Sequence, residues 1–478
     1  PKAEVFAAKC ESYSISRNRE HIGYRVGDVY RVAATSAARG TDDDDAPSLG
    51  RIHLFVDPRK EWGQILREAF RYNRDYFYAS DMAKVDWAME YEQYKPLLER
   101  LSSRTELTDV IGALISELGH GHTYVMGNGD GPTGRSVDTG LLGVDFDVNT
   151  SPSLVVMKKI YRGERWSPNL ASPFSTKDAL RIPDGAVLLE VNGRKVTPDV
   201  DPLSHFWGLA GEEVLLKIAD DATTTTARTY RVRLLRDETK LREYDWVKRN
   251  REYVESKSNG EIGYVYLPDM GTAGLTAFFR EFMPQSRRKA MVVDVRWNGG
   301  GNVSQLIIRR LKEQLYALMV TRNFDFEERY PARAFVGPMA CLINEYAGSD
   351  GDIFPDSFRH FKLGPLIGKR TWGGIVGIRN HTKFVDGSGI SVPEFAFVDL
   401  EKGYGLENYG VEPDKGFEVD LTPEDEVAGR DPQLDRAIEY LLDEMKNKKF
   451  TVPTKPKDTP DRSVDSFKKR SKEWMDRP

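Results

Sequence analysis

Cysteine is nearly absent from this chain of 478 residues, which has only Cys10 and Cys341, far apart in sequence. We read both as buried free thiols of a reducing compartment rather than as a bridge. A basic excess is missing too: 69 Lys and Arg stand against 74 Asp and Glu, for a net charge of −5. That balance argues against a nucleic-acid partner. No run approaches the roughly 18 uninterrupted apolar residues of a membrane-spanning helix. No signal peptide is visible, and the first residue is Pro1 rather than Met. The chain reads as cut from something longer, with a cytoplasmic location. What is present is globular in balance, 40% hydrophobic and 30% charged, in a chain long enough for roughly three domains.

The periodicity changes several times. Residues 1–50 read as short strands: Glu4–Ala8, Ser12–Ser16, then Ile22–Val26 and Val29–Ala33 about a Gly27-Asp28 turn. From Glu61 to Leu118 the pattern is helical, with Trp62, Ile65, Leu66, Ala69 and Phe70 on one face. Ser103-Arg104-Thr105-Glu106 is a capping box opening a second apolar stripe that Gly119 stops. Tyr76, Phe77, Tyr78 and Trp87 read as core.

Short strands return between Gly140 and Leu235, with turns at Asp184-Gly185 and Asn192-Gly193. After a charged stretch, Arg236–Ser258, the runs Ile262–Leu267, Met291–Val295 and Met339–Ile343 alternate with helical patterns at Leu275–Phe282 and Val303–Leu318. That alternation predicts a mainly parallel sheet covered by helices. Beyond Asn447 the composition predicts an extended polar tail. The fold class is multidomain α+β.

Three segments could carry chemistry. Two of the seven histidines fall in Gly119-His120-Gly121-His122-Thr123-Tyr124-Val125. A His-x-His pair could be half of a metal site, yet no third His or Cys stands at a recognisable spacing. Asn344-Glu345-Tyr346-Ala347-Gly348-Ser349-Asp350 follows a buried strand and precedes a helix. A serine there can project its hydroxyl beside free helix N-terminal amides, or can simply be a cap. Asp294-Val295-Arg296-Trp297-Asn298-Gly299-Gly300-Gly301 is a strand and a glycine turn without the Gly-Lys-Ser/Thr of a nucleotide loop. Its amides would serve equally as oxyanion donors.

With Thr371-Trp372-Gly373-Gly374 and Asn408-Tyr409-Gly410-Val411-Glu412-Pro413-Asp414, these segments resemble, in order, the C-terminal processing peptidases in their tricorn-like branch. The resemblance covers roughly residues 52–445. It implies the end of a β-propeller at 1–50, a helical subdomain at 51–130, a PDZ-like domain at 137–238, an α/β catalytic domain at 239–447 and the tail at 448–478. By position it makes Ser349 the nucleophile, His122 the general base and Glu407 the far acidic member of the relay. The resemblance likewise implies an oxyanion hole formed by the Asp350 amide and the Gly299/Gly300 turn. Glu412 is a second, weaker match to the acid. The implied activity is that of a serine endopeptidase on oligopeptides or unfolded chains, with no cofactor, peptide substrates as partners and a homo-oligomeric state.

Two departures matter. The tricorn-like pattern has a Ser before the catalytic His, and here that residue is Gly121. Relatives with a Ser–Lys dyad carry a Lys where this chain has Gly374, and Lys369 nearby reads as a solvated charge. Gly140-Leu141-Leu142-Gly143-Val144 resembles a carboxylate-binding loop, though the domain serves equally as a spacer. The rival expectations are a non-catalytic peptide-binding scaffold, with Gly121 marking a decayed site, and a metal hydrolase centred on His120 and His122.

Overall fold

The computed structural model describes residues 5–7, 9–36, 46, 53–127, 137–150, 153–167, 170–223, 226–323, 328–447 and 461–475. The chain divides into two units, residues 1–65 and 66–478. In the first, β1 (Ser12–Ile15), β2 (His21–Val26) and β3 (Val29–Ala34) form an antiparallel meander whose Gly27-Asp28 turn leaves Val26 paired with Val29. No strand is assigned at Val5–Ala7, and Glu4 and Ala8 lie outside the described residues. Cys10 is exposed, against expectation, whereas Cys341 is a buried free thiol.

Helices α1 (Pro58–Tyr76), α2 (Trp87–Tyr94) and α3 (Arg104–Ser116) follow. The predicted capping box opens α3: the Ser103 hydroxyl accepts from the Glu106 amide, and the Glu106 carboxylate accepts from the Ser103 amide. Gly119, at φ +65°, ends the helical run and turns the chain into the His120–His122 segment. Strand β4 (Val125–Met126) comes directly after it.

The next strands are β5 (Val144–Asp147), β6 (Val156–Ile160), β7 (Ala186–Val191), β8 (Arg194–Lys195), β9 (Glu213–Ala219) and β10 (Ala227–Arg233). They make one antiparallel sheet in the order β10-β9-β7-β6-β5, with β8 folded back on β7 through the Asn192-Gly193 turn. Its core is closed by Phe174, Phe206 and the inward residues of the strands. The charged stretch after it is helix α4 (Thr239–Lys257), which charge density alone conceals.

The last domain alternates β11 (Ile262–Tyr266), α5 (Thr272–Gln285), β12 (Ala290–Asp294), α6 (Ser304–Leu311), a small hairpin of β13 (Ala317–Met319) and β14 (Glu328–Tyr330), β15 (Met339–Ile343), α7 (Asp350–His360) and β16 (Leu366–Gly368). Strands β11, β12, β15 and β16 are parallel in that order. Side chains alternate across the sheet. Val265, Met291, Val293, Cys341 and Ile343 face α5, α6 and α7. Tyr264, Val292, Ala340 and Leu342 face Val254 of α4 and Leu434, Ile438 and Leu441. Burial on both faces is why these strands read as unbroken apolar runs.

Strands β17 (Gly377–Lys383) and β18 (Gly389–Phe395) then pair, and β4 adds to β18, tying the histidine segment to this last domain. Helices α8 (Pro423–Val427), α9 (Pro432–Asn447) and α10 (Val464–Met475) complete the chain. Two further expectations need correction. The helix expected to reach Leu318 stops at Leu311, and Ala317–Met319 belongs instead to the strand of a hairpin. The stretch expected to be extended carries α10, an amphipathic repeat around Val464 and Phe467, while 448–460 lies outside the described residues.

Candidate active site

Ser349 sits between β15 and α7, as the N-cap of that helix, at φ +60° and ψ −125°. A serine in this region is strained, and the surroundings must hold it there. Its amide donates to the Gly374 carbonyl at 3.0 Å, and the Trp372 amide donates to the Ala347 carbonyl at 2.9 Å. Ala347–Ser349 is thereby stapled to the turn Trp372–Gly374. The Asp350 carboxylate reaches away from the serine, accepting from the backbone amide and hydroxyl of Ser304 at the start of α6.

The glycine turn lies directly against the serine. Gly300, at φ +87°, packs so close that a Cβ there would stand 2.5 Å from the Ser349 Cβ and 2.9 Å from the Asp350 amide nitrogen. The fully buried Asn298 organises the turn. Its Oδ1 accepts from the Gly300 amide at 2.9 Å, its Nδ2 donates to the Leu267 carbonyl at 2.8 Å, and its carbonyl accepts from Gly348 at 2.9 Å. The Gly300 amide is therefore spent. Among the described residues, the amides of Gly299 and Asp350 have no acceptor. Behind the turn lies Arg296, wholly buried, which donates to Asp294, Asp431 and Gln433. The paired carboxylates hold its guanidinium charged against the cost of burial.

His122 is 8% exposed, and its Nδ1 is buried with no hydrogen-bond partner among the described residues. Burial pushes its pKa below the ordinary value of 6.5, opposed by the neighbouring Val376 carbonyl and by the Glu407 charge. Trp372 stands between the histidine segment and the serine segment. Its ring is edge-to-face with the imidazole at 5.2 Å, and a Cβ on Gly348 would lie 2.6 Å from the same indole. Among the described residues the imidazole makes no hydrogen bond to the Ser349 hydroxyl; catalytic pairs of this kind often tighten only in the complex with substrate.

Glu407 joins the histidine segment to the turn. One oxygen accepts from the Gly121 amide at 3.3 Å, and the other accepts from the Ile375 and Val376 amides, each at 2.8 Å. The residue that follows Gly121 is His122, and the Val376 carbonyl is the one beside its ring. Glu412 instead lies on the exposed side, near Tyr409 and Arg370. Lys369 pairs with Glu418 at 2.9 Å, and that hydrogen bond raises its pKa above 10.5, so it stays protonated. At Gly374 a Cβ would meet the Trp372 ring at 2.3 Å, which leaves no room for a lysine there.

His120 has both ring nitrogens engaged: Nδ1 by the Leu118 carbonyl at 2.5 Å and Nε2 by the Tyr78 hydroxyl at 3.1 Å. It is a structural residue, and Tyr78, expected in the core, serves beside it. Sequence reasoning missed Asp352, in the first turn of α7. It is fully buried, its Oδ1 accepts from the Gly373 amide at 2.8 Å, and its Oδ2 has no partner among the described residues. Burial pushes its pKa up to about 6.

The loop that resembles a carboxylate binder is largely spent. Gly140 donates to the Phe206 carbonyl and Leu141 to the Leu235 carbonyl, while the Gly143 amide already holds the Glu238 carboxylate at 2.8 Å.

Comparison with known proteins gives the class. Residues 261–416 match the model of peptidase family S41. Residues 58–116 and 140–237 match the tricorn protease C1 and PDZ domains. The chain belongs to peptidase family S41, within its tricorn-like group. It is 38% identical over 454 residues to a putative tricorn-like protease C-terminal subunit of Sulfurisphaera tokodaii, covering 93% of this chain and 51% of the relative. It is 34% identical to tricorn protease homolog 1 of Streptomyces coelicolor, covering 90% of this chain and 42% of that protein. The crystal structure of the tricorn protease superposes with a TM-score of 0.85 at 32% identity, over 92% of this chain and 42% of that one. The chain thus spans about half the length, or less, of these relatives.

Proposed function

We propose that the chain is the catalytic portion of a serine peptidase that cleaves oligopeptides or unfolded polypeptides through an acyl-enzyme on Ser349. The observation that carries this reading is the serine itself, held at positive φ at a helix N-terminus beside two unspent amides. His122 takes the hydroxyl proton as Ser349 Oγ attacks the scissile carbonyl carbon. The oxyanion that forms is held by the Gly299 and Asp350 amides, with Gly300 supplying clearance rather than a donor. The C–N bond then breaks, the leaving amine takes the proton from His122, and water releases the acid by the same steps in reverse.

Glu407 acts through the backbone, fixing Gly121 and Val376 on either side of the imidazole. It does so without a hydroxyl at position 121, which supports an intact site over a decayed one. A helical subdomain at 51–130, a PDZ-like domain at 137–238 and a catalytic domain at 239–447 accord with this assignment. With the Gly140, Leu141 and Gly143 amides occupied from within, the PDZ-like domain acts as a spacer rather than a carboxylate receptor.

The homo-oligomeric state belongs to this reading through the family resemblance alone. Its place of action in this reading is the cytoplasm; among the described residues no helix is long and apolar enough to cross a membrane. A Ser349→Ala chain assayed on unstructured peptides tests the reading: turnover should fall by on the order of 10⁴-fold with the fold intact. Residual cleavage at an appreciable fraction of the parent rate would refute it.

A further inference from the structure

Between α6 and α7 lies a cavity of about 610 Å³, within the size range of ligand sites. One wall is Gly301, Asn302 and Asp350, the residues that follow the glycine turn and Ser349 in the chain. The interior is apolar, with Ile308, Ile353, Phe361 and Phe397. Arg309 and Lys312, three residues apart and so on one side, supply the charge. Neither has a carboxylate partner among the described residues. Lys312 Nζ lies 3.2 Å from the centroid of the Phe361 ring.

The carboxylates around the cavity are spent: Glu313 on Arg310, Asp356 on Lys402, and Asp350 on Ser304. A site with an apolar stem region, two free cations and no free anion selects a side chain that is apolar along its length and negative at its tip.

We propose that this cavity receives a carboxylate-bearing side chain, Glu or Asp, at the substrate residue whose carbonyl Ser349 attacks. The assignment rests on the peptidase reading above. A peptide's own C-terminal carboxylate offers the same chemistry from a second source, which the experiment separates.

The test uses the full chain carrying Ser349→Ala and labelled, C-terminally amidated peptides that differ at one internal residue, Glu, Gln, Lys or Phe. A Gln peptide with a free C-terminal carboxylate is added. The Glu peptide should bind roughly tenfold tighter than the Gln peptide, and tighter than the Lys and Phe peptides. Arg309→Gln with Lys312→Gln, both exposed positions, should bring the Glu-to-Gln ratio toward one. Equal binding of Glu and Gln, or preference for Lys or Phe, overturns the proposal. A gain confined to the free-acid peptide overturns it in favour of the terminal carboxylate. With Ser349 present, cleavage should fall after Glu. Ser349-dependent cleavage without that preference refutes the cavity assignment alone. Absence of any Ser349-dependent cleavage refutes the peptidase reading, while the binding ratios still decide the cavity.

Discussion

The Glu407 carboxylate accepts a hydrogen bond from the backbone amide of Gly121, one residue before His122, at 3.3 Å. On the proposed assignment Glu407 thus orients His122 through the main chain, without a side-chain hydroxyl between them.

Replacing Glu407 should act on positioning and charge together. Glu407→Gln should lower kcat by about 10- to 100-fold with little change in KM. The Glu407 charge raises the His122 pKa, so its removal should also move the acid limb of the pH–rate profile to lower pH. An unmoved limb, or a loss confined to KM, would contradict the role.

His122→Ala should abolish activity and Lys369→Ala should not, because Lys369 is held protonated by Glu418. With His122 depressed by burial below 6.5, kcat/KM should rise with pH through one ionisation below about 6.5 and then stay level. An active His122→Ala enzyme would refute the assignment.

Asp352 makes a stability prediction. Its folded pKa of about 6 stands above the ordinary 3.8. The native state thus holds a proton the unfolded chain releases, and stability is lost as pH rises from about 4 through about 6. Asp352→Asn should match the parent near pH 4 and exceed it at pH 7 by on the order of 1–3 kcal/mol, read by thermal or denaturant unfolding. Equal stability at both pH values would show that the carboxyl is not buried as described.

Gly300→Ala should leave the chain folded and cut activity by at least about a hundredfold, since the new Cβ displaces Ser349 from the donor pair. Near-normal kcat would mean that the turn does not abut the nucleophile.

Much of this was legible in the sequence where local physics governs. Met339–Ile343 reads to the residue because a parallel strand is apolar on both faces, and α3 declares itself by its capping box. Helix α4 was hidden because its surface is charged nearly all round, leaving only Leu241 and Val254 buried. The candidate site residues Ser349, His122 and Glu407 are named from ordered motifs. The Glu407–Gly121 contact joins residues 286 apart, and no local pattern encodes it. Nor does spacing show that Asn298 consumes the Gly300 amide, or that Asp352 is buried with half its carboxylate unpartnered. Those are consequences of tertiary packing.

The most direct test of the central claim is covalent labelling of the full chain by a fluorophosphonate, with the modified residue located by mass spectrometry. The reading predicts one modified residue, Ser349, with labelling lost in Ser349→Ala and strongly slowed in His122→Ala. Modification at another serine, or no labelling of a folded chain that still cleaves peptides, would contradict it.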